Sequence, residues 1–137
     1  MNQLDSLMKE LIDFNQSFRA TIALNTQDQS SAEYVLMFGT LRIDTGRISG
    51  KSTWIANHAN DDKALVIVSE AMIYRPLFET AALKCTLDDV WEGRCNSWSY
   101  DRIYVDCASY LLPTREDEHR LIEALVTHDQ QMVVLVG

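Results

Sequence analysis

Proline occurs only twice and glycine five times in this chain of 137 residues, which excludes collagen-like and Pro/Gly-rich disordered architectures. Cysteine is also sparse. Cys85, Cys95 and Cys107 are an odd number without paired metal spacing, which argues against a disulfide framework and for a reducing cytoplasm. No apolar run approaches the roughly 20 residues of a membrane span, and the acidic N-terminus lacks the apolar core of a signal peptide. Basic side chains are outnumbered, 12 against 20 acidic, for a net charge of -8. They are scattered, so neither an anionic membrane nor duplex nucleic acid is indicated as a direct partner. His58, His119 and His128 have no metal-binding helical spacing, no Asn-Lys-x-Asp element for guanine is present, and no serine nucleophile motif is found.

Hydrophobic residues make up 47% of the chain, enough for a real core in one domain spanning residues 1–137. Residues 2 to about 24 read as an amphipathic helix, with Leu4, Leu7, Met8, Leu11, Phe14, Phe18 and Ile22 near one face. That face either covers the sheet or docks a partner. Ser30 and Glu33 have capping-box spacing before Ala32 to Phe38, yet Tyr34 to Ile43 also reads as one buried strand. Both readings make Leu41 to Ile43 extended. Ala64 to Val68 is a continuous apolar run of the kind buried on both faces of a parallel sheet. Pro76 suits the first turn of a helix running through Leu83. Thr86 and Asp89 frame a capped turn that Gly93 ends. Tyr100 to Asp106 reads as a strand ending in an acid, Pro113-Thr114 opens a last helix, and Gln131 to Val136 is a last strand. Strands alternating with helices predict an α/β domain: a three-layer α/β/α sandwich on a mostly parallel sheet of four or five strands.

The most informative stretch is Thr45-Gly46-Arg47-Ile48-Ser49-Gly50-Lys51-Ser52-Thr53. It lies between an apolar segment and Trp54 to His58, which can begin a helix. A glycine-flanked loop between strand and helix cradles phosphate with its backbone N–H groups, helped by the helix N-terminus. Lys51 would reach the outer phosphates and Ser52 would ligate a divalent metal. Ligands of such sheets sit beyond the carboxyl ends of the strands, and the loop, Glu70 and Asp106 all fall there in this reading.

The Gly50-Lys51-Ser52-Thr53 core resembles the phosphate loop of P-loop NTPases. The form with Arg47 three residues before Gly50, and Thr45 where the first glycine usually stands, resembles more weakly the loops of viral or phage helicase- and packaging-type ATPases. The resemblance covers about Thr40 to Gly137, with the loop as its one specific motif. It implies ATP and Mg2+ as ligands. Thr45, Gly46, Arg47, Ser49, Gly50, Lys51, Ser52 and Thr53 would hold the nucleotide. Ile103-Tyr104-Val105-Asp106 resembles the strand whose acid holds the metal together with the loop hydroxyl, here Ser52. Helicase-like relatives place a glutamate next, where this chain has Cys107. Recombinase-type ATPases place it after the strand that follows the loop helix, where this chain has Glu70, the candidate for positioning water beside the catalytic Lys51. Arg47 contacts phosphate or pairs with Asp44. Arg75 or Arg94 would act on a neighbour's nucleotide or else decorate the surface. Tyr74 or Tyr110 would stack on a base or pack at an edge. The chain is short for such an enzyme, so the expected core is small or truncated and completed by a homo-oligomer or a protein partner through the N-terminal helix. The alternative expectation is a regulatory or structural protein that keeps the fold without turnover.

Overall fold

A computed structural model describes residues 3–22, 31–44, 51–59, 63–78, 83–126 and 131–136. In chain order the elements are α1 (Gln3–Ile22), α2 (Ser31–Phe38), β1 (Thr40–Asp44), α3 (Lys51–His58), β2 (Ala64–Ile67), β3 (Lys84–Cys85), α4 (Leu87–Trp91), β4 (Arg102–Val105), α5 (Ala108–Leu111), α6 (Arg115–Leu125) and β5 (Gln131–Val136). The strands form one sheet in the order β1-β5-β4-β2-β3, and every pairing is parallel. Helices cover both faces, giving a small three-layer α/β/α domain.

The order explains the layers. From β1 the chain steps rightward to β2 and β3, then turns back to β4 and β5. Right-handed crossovers put connections of opposite direction on opposite faces. Accordingly α3 and the 3-10 turn Pro76–Phe78 share one core with Val66, Val68 and Tyr104. Helices α4, α5 and α6 share the other with Leu65, Ile67, Ile103 and Val105. Successive residues of β2 and β4 thus feed alternate cores, and all four residues of β2 are buried. That is why Ala64 to Val68 has no polar alternation.

Local chemistry sets several boundaries. Thr86 and Thr114 each accept a hydrogen bond from the amide three residues on, at Asp89 and Asp117, and those carboxylates bond back to the cap amides. Gly93, at φ 79°, turns the chain after α4, and an added Cβ would meet the Asn96 amide nitrogen at 3.0 Å. Arg42 on β1 pairs with Glu118 on α6, Nε donating to Oε2 at 3.2 Å, which ties the sheet edge to that layer.

Three expectations change. The helical and strand readings of residues 32–43 are both right in part: α2 ends at Phe38 and β1 starts at Thr40. The helix from Pro76 is only a 3-10 turn through Phe78, and residues 79–82 lie outside the described residues. The N-terminal helix is present over Gln3–Ile22, but it docks through a different stripe. Met8, Ile12, Asn15 and Arg19 face inward, whereas Leu7, Phe14 and Phe18 are 40%, 72% and 45% exposed. The apolar arc of α1 is wider than the domain covers. The Asn15 amide donates to the Phe38 carbonyl at 2.8 Å, so a polar residue stands at the docked face because it satisfies the end of α2.

This orientation sets an expected contrast in stability. Leu65→Ala should cost about 2–5 kcal/mol in urea unfolding, because Leu65 is fully buried. Phe14→Ala should change stability by no more than about 0.5 kcal/mol, as an exposed site does.

Candidate functional site

Asp106 follows the last residue of β4 and is 2% exposed. A buried carboxylate is tolerated only with partners. Among the described residues it has one on each oxygen. The Ser52 hydroxyl donates to Oδ2 at 2.7 Å, and the Cys107 amide donates to Oδ1 at 3.1 Å. The Asp106 amide itself donates to the Ile67 carbonyl at 3.0 Å, continuing the β2–β4 ladder by one residue. Ser52 is the second residue of α3, 54 positions earlier in the chain. The structure thus brings the predicted pair together.

Helix α3 is held in place by its own side chains. Trp54 is 6% exposed and meets the Tyr104 ring edge-on at 5.5 Å. His58 stacks on Trp54 at 4.4 Å. Asp5 on α1 accepts from the Trp54 indole at 3.0 Å and lies 3.1 Å from His58 Nε2, while His58 Nδ1 lies 2.8 Å from the Trp54 carbonyl. A single carboxylate therefore clamps α1 onto α3. Trp54 is thus a packing anchor, and His58 is a helix-face residue within that clamp. Nothing in the sequence marked Asp5, which meets Trp54 across 49 residues of chain.

Cys107 sits where a helicase-like glutamate was expected, and its backbone is left-handed at φ 53°, ψ 48°. A non-glycine residue in that region is strained, and such strain gathers at sites where neighbours over-determine the backbone. Here the strained turn aims the Cys107 amide at Asp106 before α5 begins. Cys85 and Cys95 lie within the core, and burial pushes both thiols up, with the neighbouring Cys95 adding to the effect on Cys85. Both are poor thiolate nucleophiles.

Glu70 lies in the turn beyond β2, is exposed, and lines a cleft with Val68, Ser69, Asp88 and Tyr110. Thr53 is exposed on α3. Arg94 gives its guanidinium to Asp89 at 2.5 Å and Glu92 at 2.6 Å, so it is spent on its own chain. The Asp89 carboxyl lies below the ordinary carboxylate range, chiefly because the Thr86 amide donates to it, with Arg94 adding and partial burial opposing. Tyr74 and Tyr110 are 90% and 76% exposed. The candidates Thr45, Gly46, Arg47, Ser49 and Gly50 lie outside the described residues, as do Asp44's side chain and that of Lys51, whose backbone opens α3.

The donor set suits a hard cation. A hydroxyl and a carboxylate offer oxygen ligands, as Mg2+ prefers, and Mg2+ is bound through one or two protein ligands plus phosphate and water. Among the described residues no group of three or more His, Cys, Asp or Glu could hold a metal alone, and no helix is long and apolar enough to cross a membrane. The partial positive charge at the N-terminus of α3 favours an anion beside Ser52. No protein-family model, curated protein or solved structure matches the chain.

The pair makes a direct forecast. Ser52→Ala leaves a buried carboxylate oxygen without its hydroxyl donor and should destabilise the protein by about 1–3 kcal/mol in chemical denaturation. Ser52→Thr, which keeps a hydroxyl, should restore most of that loss.

Proposed function

We propose that this protein binds ATP with Mg2+ as a small P-loop NTPase-like domain and hydrolyses it. The observation that carries the reading is the 2.7 Å hydrogen bond from Ser52 to Asp106. A serine after Gly50-Lys51 and an acid after an apolar central strand are the two residues the resemblance assigns to one metal. They come together from positions 54 residues apart in the chain.

In this reading residues 45–53 wrap the phosphates, and Lys51 neutralises the outer ones. Mg2+, when bound, would offset the charge of the phosphates. Ser52 and Asp106 hold it, and Asp106 is oriented for this by the Cys107 amide. Glu70 orients and deprotonates water from beyond β2. A second reading is favoured by two observations. Cys107 replaces an acid with a group that cannot take up water's proton in the same way, and Leu7, Phe14 and Phe18 leave an apolar stripe of α1 open to a protein partner or second copy. There the protein binds nucleotide weakly or not at all and works through protein contacts.

Thermal melting with and without ATP and Mg2+ separates the readings. Saturating nucleotide at about 100 times Kd stabilises by roughly 2.7 kcal/mol, a rise of several degrees for a domain of this size. Lys51→Ala should abolish the rise. Glu70→Gln should keep the rise and lose phosphate release. An unchanged melting temperature at millimolar ATP overturns nucleotide binding and leaves the protein-contact reading.

A further inference from the structure

A cleft of about 610 Å3 opens beyond the carboxyl ends of β2 and β3. Sheet order places it across β4 from the strand that leads to Ser52. It lies at a switch point, because β2 and β4 are neighbours whose outgoing connections leave on opposite faces. Open α/β sheets take ligands at such points, and the volume falls within the roughly 300–1,000 Å3 of small-molecule sites.

The lining selects the ligand. Glu70, in the turn after β2, and Asp88, in the first turn of α4, both line it. Among the described residues no lysine, arginine or histidine lines the cleft. Neither carboxylate pairs with a cation among the described residues, and the basic residue closest in sequence to Asp88, Arg94, is taken by Asp89 and Glu92. The rest of the lining mixes apolar Val68, Ala71, Leu87 and Leu111 with the hydroxyl residues Ser69 and Thr86. Tyr110 contributes a highly exposed ring to the same lining. An anion is repelled here. A hydrated metal ion gains little from those apolar side chains and finds no third ligand among the described residues.

We propose that this cleft binds an ammonium or guanidinium group carried on an apolar shank, the charge between Glu70 and Asp88, the shank on the aliphatic side chains, and the Tyr110 face against the cation. Free amines and the Arg or Lys side chains of a polypeptide share this chemistry. The proposal shares Glu70 with the hydrolysis step proposed above but stands apart from nucleotide binding, since it uses neither Ser52, Asp106 nor the phosphate loop.

The test is an NMR titration of the full chain without nucleotide. Agmatine represents a free amine, acetyl-arginine-amide a polypeptide side chain, and acetyl-citrulline-amide their uncharged counterpart. At least one cationic probe should shift the Glu70 and Asp88 amides, and the citrulline probe should bind about tenfold more weakly or less, the loss expected for a charge-assisted contact. Binding by agmatine alone assigns a free amine, and binding by the arginine amide alone assigns a side chain. Asp88→Asn should weaken binding by a similar factor with an unchanged melting temperature, and Tyr110→Leu should weaken it a few-fold. Equal binding of the citrulline probe, shifts centred away from the cleft, no shifts at all, or magnesium chloride moving the same amides at lower concentration would each overturn the proposal. None of these results touches the Lys51→Ala comparison, so the two readings fail separately.

Discussion

The hydrogen bond between Ser52 and Asp106 is the constraint around which the domain is arranged. An acid at the end of a central strand, 2% exposed, must be given donors or it destabilises the fold. One donor is local, from Cys107, and requires a strained left-handed turn. The other comes from a helix that begins after β1, two strand positions away across β5. For that helix to reach, its packing must be fixed, and Trp54, Tyr104 and the Asp5 clamp from α1 fix it. The N-terminal helix therefore acts on the site without touching it.

Sheet order turns this contact into an asymmetric edge. On the β1 side of β4 lies the N-terminus of α3, whose partial positive charge favours anions. On the other side, beyond β2 and β3, lie Glu70 and Asp88, with no basic side chain among the described residues that line the cleft. Two connections leaving on opposite faces create both environments from one crossover reversal. Glu70 lies on the acidic side, lining that cleft, while Asp106 is buried at the end of β4. The place of Glu70 in that acidic cleft is what makes turnover, rather than binding, the more demanding part of the functional reading.

Much of the fold was legible because its signals are local. Ala64 to Val68 and Ile103 to Val105 announce burial on both faces by lacking polar alternation. Thr86 with Asp89 and Thr114 with Asp117 announce helix starts through bonds three residues apart. What was missed depends on distant partners. β3 is two residues long and exists only through its pairing with Val66 and Ile67. α5 is a four-residue turn imposed by the Cys107 backbone. The docked stripe of α1 could not be chosen from periodicity, since Leu7, Met8, Leu11, Ile12, Phe14 and Phe18 span more than one face. Asp5 and Asn15, both polar, decide which part meets the domain. At the site, Ser52 and Asp106 were readable from motif position alone, whereas the cleft beside Glu70 depends on Asp88 and Tyr110, which no local pattern joined to it.

The most direct measurement uses Mn2+ in place of Mg2+ with ATP and follows paramagnetic broadening of backbone amides. If Ser52 and Asp106 hold one metal, their amides and that of Cys107 should broaden first, at low metal-to-protein ratio and only with ATP present. Broadening centred on Glu70 and Asp88, or equal broadening in Asp106→Asn, would contradict the account.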